Sequence, residues 1–342
     1  MYQPRVRTLL DPVQVAARAK LLVDQFNTMK TDAVTLGDRD MALGVSLLTD
    51  LHKRADYPWL VANLQSADTG EPVFETRVIK EVAGVKVGLL GVTLPTSITG
   101  ITAGADAPWR VTDPTIAAIR EAKALRSEGA EIILVLAHLT EKEQRTLAGQ
   151  MAVATAILGG QGVRMLKHPE SHGGVYITEP SIKGKYLSIM TLHVWEGKEA
   201  KGSFVDRYHG TGLEERIAQL SGRISSYERI VERRQKEDAE KKQQPEAPED
   251  SRAKHMRRAT NVDHLKKQLV KLQTERQQLQ LELDEAVEVD PSANYMSYEL
   301  FAVDIHHPDE PKIAKAVNAF LKKYPKAAAK RPGLPPVPAK KR

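Results

Sequence analysis

Cysteine is absent from all 342 residues of this chain. Its absence excludes disulfides, thiolate metal sites, iron–sulfur clusters, c-type haem attachment and cysteine nucleophiles. No apolar run approaches the roughly 20 residues that cross a bilayer, so the sequence predicts no transmembrane segment. The N-terminus shows no signal-peptide pattern either, and the sequence alone therefore leaves the compartment unknown.

The chain has enough apolar residues to build a core. It is 41% hydrophobic and 27% charged, and at about 150 residues per domain its length predicts two folded units. Residues 1–209 form the first predicted domain, because helix and strand patterns alternate there as in α/β proteins. Within it, residues 74–82 and 85–92 predict a β-hairpin that turns at Ala83-Gly84, and residues 175–178 and 187–194 predict a closing antiparallel pair. Asp113 and Pro114 predict the start of a helix over residues 113–128.

Two later stretches carry residues at heptad spacing. The first contains Leu213, Ile217, Leu220, Ile224, Tyr227 and Val231, and the second contains Val262, Leu265, Leu269, Leu272, Arg276, Leu279, Leu283 and Ala286. A Pro-containing loop at 243–251 separates them, which predicts an inserted antiparallel coiled-coil hairpin over 210–288. A parallel dimer through one arm is the alternative. Arg276 is expected at a core position of the second stretch, where its charge is costly unless it meets an acid or lies near solvent, and it is therefore expected to set the register.

The C-terminal part is predicted to contain two pieces. Residues 289–325 predict one strand and one helix that pack back on the first domain, because such a pair cannot form a core alone. Residues 326–342 predict a basic, Pro-rich, disordered tail. The run of Lys and Arg from 322 to 342 indicates attraction to an anionic surface, and its shortage of aromatic residues argues against nucleic acid.

Several motifs occur in a fixed order within the first predicted domain. Residues 32–40 read DAVTLGDRD, 60–64 read LVANL, 84–93 read GVKVGLLGVT, 134–139 read LVLAHL, 156–163 read AILGGQGV and 184–187 read GKYL. In this order they resemble the blocks of the 5′-nucleotidase-like metallophosphoesterases of the calcineurin-like superfamily. The resemblance implies a four-layer α/β sandwich, incomplete here at the N-terminus, whose strand ends gather two divalent metals. It also implies a periplasmic or exported protein.

The resemblance implies candidate site residues, several of which depart from the family pattern. Asp38 and Arg39 stand where the family has Asn and His, and Arg39 cannot act as a general acid because a guanidinium does not release its proton at neutral pH. His138 matches a metal ligand of the family, whereas Gln161 and Val163 replace two histidines. The candidate catalytic residues are therefore Asp38, His138 and Arg39, and Asp38 and His138 are the candidate ligands for Mn, Zn or Mg.

Three further residues are expected to line this reduced site, namely Asn63, Gly160 and Gln161. A purely structural interpretation is also open. In that interpretation Arg39 neutralises Asp38, Asp40 caps the following helix, and His138 is a hydrogen-bonded structural residue.

Three functions follow from these observations. The first is a catalytically degenerate phosphoesterase-like protein, a binding or assembly module that meets a protein partner or a second copy through its coiled coil, 213–287. The second is a metal-dependent phosphohydrolase, acting on nucleotides or other phosphoesters, with a reduced ligand set. The third is a coiled-coil oligomer whose basic tail attaches it to an anionic surface. The loss of several ligands together favours the first, so enzymatic activity is not the leading expectation.

Overall fold

A computed structural model describes residues 12–41, 44–94, 102, 106–161, 164–181, 184–195, 204–206, 209–241, 262–284, 293–303 and 307–325. Its helices are α1 (Pro12–Thr28), α2 (Asp38–Met41), α3 (Val45–Arg54), α4 (Pro114–Ser127), α5 (Glu141–Gln150), α6 (His209–Lys241), α7 (Val262–Asp284) and α8 (Pro311–Lys323). Its strands are β1 (Leu64–Ser66), β2 (Arg77–Val82), β3 (Val85–Thr93), β4 (Trp109–Val111), β5 (Ile132–His138), β6 (Ala156–Gly159), β7 (Glu170–His172), β8 (Val175–Thr178), β9 (Tyr186–His193), β10 (Val205–Asp206) and β11 (Tyr295–Ala302).

The chain divides into two units. Unit 1 holds the described residues up to Met190 and from Tyr298 onward, and unit 2 holds Thr191–Trp195 and Phe204–Ser297. The α/β fold class that the sequence predicts is confirmed, since unit 1 combines sheets with helices. The predicted loop 243–251 and tail 326–342 lie outside the described residues.

A six-stranded sheet in the order β2-β3-β5-β6-β8-β7 forms the centre of unit 1. The predicted hairpin is confirmed: β2 and β3 are antiparallel, and Ala83 and Gly84 make the turn with positive φ angles of 51° and 82°, as two-residue hairpin turns require. The predicted pairing of β8 with β9 is wrong. Strand β8 instead lies parallel to β6 and antiparallel to β7, which forms a hairpin with it across Gly173 and Gly174.

The core of unit 1 depends on close approach between neighbouring strands. Strands β3 and β5 are parallel, and the second half of β3 is fully buried. A Cβ on Gly91 would lie 1.8 Å from the carbonyl oxygen of Leu60, so only glycine fits there. Helix α4 packs on this sheet and begins at Asp113, whose carboxylate accepts hydrogen bonds from the N–H groups of Thr115 and Ile116, as predicted.

A second apolar cluster in unit 1 lies between α1 and α3 and is rich in aromatic rings. Trp59 and Phe74 are centred 5.6 Å apart, and Phe74 meets Trp109 edge-on at 5.8 Å. Such tilted and edge-on contacts are the arrangements that aromatic pairs prefer. Together with Leu48 and Leu51 of α3, they hold the segment from Val34 to Gly37, which precedes α2.

Unit 2 contains the two long helices, which pack side by side. Their shared core consists of Leu213, Leu220, Ile224, Leu272 and Leu279. They run antiparallel, because Gln273 bonds Glu228 while Ile217 and Gln280 line one groove of about 460 Å³. Whether they form the predicted coiled coil stays a prediction. Of the two outcomes expected for Arg276, the structure has the one near solvent: its side chain is exposed beside that groove, because burying a guanidinium without a partner is costly.

The remaining elements are the short strand β10 with its partner β11, and the last helix, α8. Strand β10 pairs in parallel with the start of β11, through Val205 with Tyr295 and Asp206 with Met296. Helix α8 belongs to unit 1 and contacts α1. No helix within the described ranges combines the length and apolar character that a bilayer crossing needs.

Candidate functional site

Asp38 and His138, both predicted as site residues, are brought together at one end of the sheet in unit 1. His138 is the last residue of β5 and is aligned with Thr93 at the end of β3. Its Nε2 lies 3.1 Å from Oδ1 of Asp38, the first residue of α2. The side chains are 17% and 34% exposed, so both reach solvent. The carboxyl ends of parallel strands are where open α/β sheets bind ligands.

Gly37 fixes the position of the imidazole. Its Cα lies against the ring, because an added Cβ would be 2.8 Å from Cε1 of His138. The N–H of Gly37 donates to Oδ2 of Asp40 at 2.9 Å, which closes the turn before α2. Asp38 bonds His138, and Arg39 is exposed. This arrangement agrees with a hydrogen-bonded His138, as the structural interpretation expects, and pairs Asp38 with His138 rather than with Arg39.

Asn63 is fully buried near the end of β3. Its Nδ2 donates to the carbonyl oxygens of Thr93 at 2.8 Å and Thr112 at 3.0 Å, and its Oδ1 accepts from the Thr93 N–H at 2.9 Å. Both amide hydrogens are thus occupied. Asn63 joins the end of β3 to the segment before α4, a positioning role that the sequence did not predict.

Gly160 and Gln161 follow β6 at the same end of the sheet. The N–H of Gly160 donates to the carbonyl oxygen of Ala137 at 3.0 Å, which holds this segment beside His138. Gln161 is partly exposed, and Val163 lies outside the described residues. The structure therefore brings Gly160 next to the strand that carries His138.

Two polar side chains near this end of the sheet were missed by the sequence analysis. Gln144 is buried against Gly159 and donates to the carbonyl oxygen of Leu139, and its Oε1 has no hydrogen-bond partner in the structure. The hydroxyl of Thr93 is likewise buried without a partner. Thr93 could have been found, because it ends the motif at residues 84–93, which predicts a buried strand. Gln144 could not, because a glutamine in an amphipathic helix is usually exposed and carries no such signal.

A cluster of charges anchors the segment after β6. Arg164 donates to Glu179 at 2.7 Å and to Glu170 at 3.0 Å, and Arg145 also bonds Glu170. Burial alone would raise the pKa of Glu170, but the bonds and charges of Arg145 and Arg164 lower it. This cluster was not predicted, because its members come from four separate segments of sequence.

The number of metal-ligating side chains at the site determines how many cations it can hold. Within the described ranges no three His, Asp or Glu side chains converge as a metal-binding group. A two-metal centre needs many more ligands than one carboxylate and one imidazole, so these residues do not fit one. A single divalent cation that keeps several waters needs only one or two protein ligands. Asp38 and His138 fit that smaller requirement.

The chain matches no family model. It is 25% identical over 230 residues to the trifunctional nucleotide phosphoesterase protein YfkN of Bacillus subtilis, covering 56% of this chain and 16% of that protein. It is 28% identical over 125 residues to the 2′,3′-cyclic-nucleotide 2′-phosphodiesterase/3′-nucleotidase of Haemophilus influenzae, covering 34% of this chain and 19% of the relative. The curated relatives are phosphoesterases. The predicted resemblance to 5′-nucleotidase-like phosphoesterases is thereby confirmed over about half of the chain.

Solved structures of such phosphoesterases are also similar. The crystal structure of the calcineurin-like phosphoesterase YfkN from Bacillus subtilis has a TM-score of 0.47 and 25% identity, covering 57% of this chain and 69% of that one. A 5′-nucleotidase precursor from Thermus thermophilus has a TM-score of 0.47 and 22% identity, covering 55% and 39%. The chain spans less than a fifth of the length of these curated relatives.

Proposed function

We propose that this chain is a metal-dependent phosphohydrolase with a reduced ligand set, acting on nucleotides or related phosphoesters. The observation that carries the proposal is the contact of Asp38 with His138, 3.1 Å apart at the carboxyl end of β5. The phosphoesterase relatives support the same chemistry. This proposal replaces the degenerate binding module as the leading interpretation of the sequence.

Each polar group at the site has a task in this proposal. Asp38 and His138 would hold one divalent cation, which when bound supplies positive charge for a phosphoryl oxygen and for an attacking water. Arg39 is exposed beside Asp38, and its planar guanidinium offers two parallel hydrogen bonds to the phosphoryl group. Because Arg39 cannot release a proton, the leaving oxygen takes its proton from solvent.

The neighbouring groups position these side chains. Asn63 fixes Thr93, the residue aligned with His138, and Gly37 packs on the imidazole ring. Holding the reacting groups in place is itself a large part of catalysis. A site with one cation and one arginine is expected to be slower than a two-metal site, because fewer charges offset the negative charge of the transition state.

The test combines metal binding with hydrolysis. Calorimetric titration with Mn²⁺, Zn²⁺ and Mg²⁺ is expected to show one site, which Asp38→Asn and His138→Ala each abolish. Hydrolysis of AMP, of 2′,3′-cyclic AMP and of bis(p-nitrophenyl) phosphate with the bound metal should vanish in the same variants. His264→Ala, which changes an exposed histidine of α7, is the matched control. Absence of both binding and turnover would contradict the proposal, as would turnover that survives His138→Ala.

A second candidate function is an assembly module formed by α6 and α7. The observation in its favour is the exposure of Val270 and Leu281 on α7, 60% and 55%. We also propose that the basic tail attaches this module to an anionic surface. We propose further that the protein is exported from the cytoplasm, as the resemblance implies. Cosedimentation with anionic vesicles, with and without residues 326–342, tests the first of these, and cell fractionation tests the second.

A further inference from the structure

Helix α7 carries a second ordered row of side chains, most of which lie on the side of the helix away from α6. We call it the outer stripe, and its members are Lys267, Val270, Thr274, Gln277, Leu281 and Asp284. They follow one another at steps of three and four residues, the heptad spacing of helices that pack along their length. All six are exposed, including the two apolar ones.

Most of the outer stripe lies away from the contact with α6, and only Gln277, at its edge, also lines the groove beside Ile217 and Ser221 of α6. The residues of α7 that pack on α6 include Leu272 and Leu279. With about 100° of rotation per residue, the outer stripe lies roughly 150° around the helix from them. Val270 and Leu281 stand eleven residues apart, about three helical turns, so they lie on the same face of α7. The contact with α6 therefore does not account for the exposure of these two apolar side chains.

We propose that the outer stripe pairs antiparallel with the same stripe of a second copy. Reversing the stripe against itself places Val270 opposite Leu281 of the second copy and Thr274 opposite Gln277. It also places Lys267 opposite Asp284, so each end of the contact carries an ion pair of opposite charges. The stripe is self-complementary, as a two-fold symmetric interface requires.

Charge decides the direction of the pairing. In a parallel arrangement Lys267 would face Lys267 and Asp284 would face Asp284, and like charges in contact repel. In the antiparallel arrangement both ends attract. Asp284 also accepts a hydrogen bond from Gln280 at 2.9 Å, which holds its carboxylate on the helix surface beside the stripe.

The size of the contact sets its strength. Helix α7 has 23 residues and is about 35 Å long, but only Val270 and Leu281 supply large apolar area from each copy. Stable interfaces bury at least about 1,200 Å², and two large apolar side chains from each copy supply only part of that area. The dimer is therefore weak and depends on protein concentration.

The absence of native cysteine allows a direct test by disulfide trapping. Full-length chains carrying Val270→Cys and Leu281→Cys, one with a size tag, are mixed and oxidised mildly. We expect a mixed disulfide dimer, because the two positions face each other. Neither variant should crosslink with itself, because eleven residues separate the two positions by about 16 Å and a disulfide needs Cα atoms within about 7 Å.

The matched control for random collision is Val82→Cys mixed with Leu281→Cys. Val82 is 59% exposed, much like Val270, but lies on β2 of unit 1. Trapping of the Val270–Leu281 pair no faster than this control would overturn the proposal. Efficient self-crosslinking of Val270→Cys would also overturn it, since that result means a parallel pairing.

Sedimentation equilibrium tests the same contact without cysteine. Val270→Glu is expected to weaken dimerisation about 100-fold, because the symmetric contact is lost twice. Lys267→Asp should weaken it about tenfold, and the charge swap Lys267→Asp with Asp284→Lys should restore it. A wild-type chain that stays monomeric over the same concentrations, or a charge swap that does not rescue, would overturn the proposal. These results do not depend on the hydrolase site, so the two proposals can fail separately.

Discussion

Oδ1 of Asp38 lies 3.1 Å from Nε2 of His138, although 100 positions separate the two residues in the chain. A short series of backbone hydrogen bonds brings them together. Leu60 donates to Val34, and Ala62 donates to Gly91 of β3, which in turn pairs with β5. The segment before Asp38 is thus tied to the strand that ends in His138. The contact depends on this framework, and substitutions in the framework should disturb the site.

Gly37→Ala should disturb the site directly. Its new Cβ would lie 2.8 Å from Cε1 of His138, so the imidazole must move. Inserting a methyl group into a packed contact costs about 1 to 3 kcal/mol, and urea unfolding measures this loss. Gly149→Ala is the control, because nothing lies within 4 Å of its Cβ and alanine favours its helix by up to about 1 kcal/mol. Equal effects of the two substitutions would contradict the packing argument.

Asn63→Leu should be among the most destabilising substitutions in unit 1. It leaves the N–H and carbonyl of Thr93 and the carbonyl of Thr112 without their partner. An unpaired buried polar group costs about 1 to 3 kcal/mol, so the loss should reach about 3 kcal/mol or more by urea unfolding.

Asn27→Leu gives the matched comparison for Asn63. Asn27 also makes two side-chain bonds, to the carbonyl oxygen of Arg54 and from the N–H of Asp56, but in an exposed setting. Water can replace those bonds, so the loss should stay below about 1 kcal/mol. A loss for Asn27→Leu as large as that for Asn63→Leu would show that burial is not the cause.

Local signals in the sequence predicted local structure well. Asp113 and Pro114 indicated the start of α4, and Ala83-Gly84 indicated the turn between β2 and β3, because a cap and a tight turn depend on a few adjacent residues. The meeting of Asp38 with His138 came from the family resemblance. No adjacent residues encode a contact across 100 positions.

The incorrect or missing predictions concern features that are set by contacts between residues far apart in the sequence. The partner of β8 could not be read from its own four residues, since a strand with both faces buried fits beside several others. Heptad spacing placed Arg276 among the core positions, but spacing carries no information on whether its guanidinium meets an acid there or faces solvent. The role of Asn63 was missed because it depends on Thr93 and Thr112, each at least 30 positions away.

Arg164→Met should destabilise unit 1 strongly. Arg164 pairs with Glu179, whose side chain is 1% exposed, and with Glu170, which is 12% exposed. Removing one partner of a buried pair leaves an uncompensated charge and typically costs about 3 to 5 kcal/mol. Thermal or urea unfolding at neutral pH measures the effect.

Arg145→Met is the control for Arg164. Arg145 bonds Glu170 and Glu141, but its side chain is 44% exposed, and exposed pairs contribute about 1 kcal/mol or less. If Arg164→Met and Arg145→Met lower the stability to the same extent, the buried ion pairs of Arg164 do not hold the segment after β6 in place.

Acid should weaken unit 1 partly through Glu121. Burial would raise the pKa of this carboxyl, but hydrogen bonds from Arg120, Arg77 and Thr76 lower it below its ordinary value of 4.5. A carboxyl with a lowered folded pKa contributes stability above its unfolded pKa, and that contribution is lost as the pH falls through the folded value. Glu121→Gln should therefore be less stable at neutral pH and should lose less stability on acidification. Urea unfolding between pH 7 and about pH 3 measures both effects, with Glu81→Gln on the exposed part of β2 as the control. If the free energy of unfolding of Glu121→Gln falls with decreasing pH as steeply as that of the wild type, protonation of other groups causes the acid sensitivity.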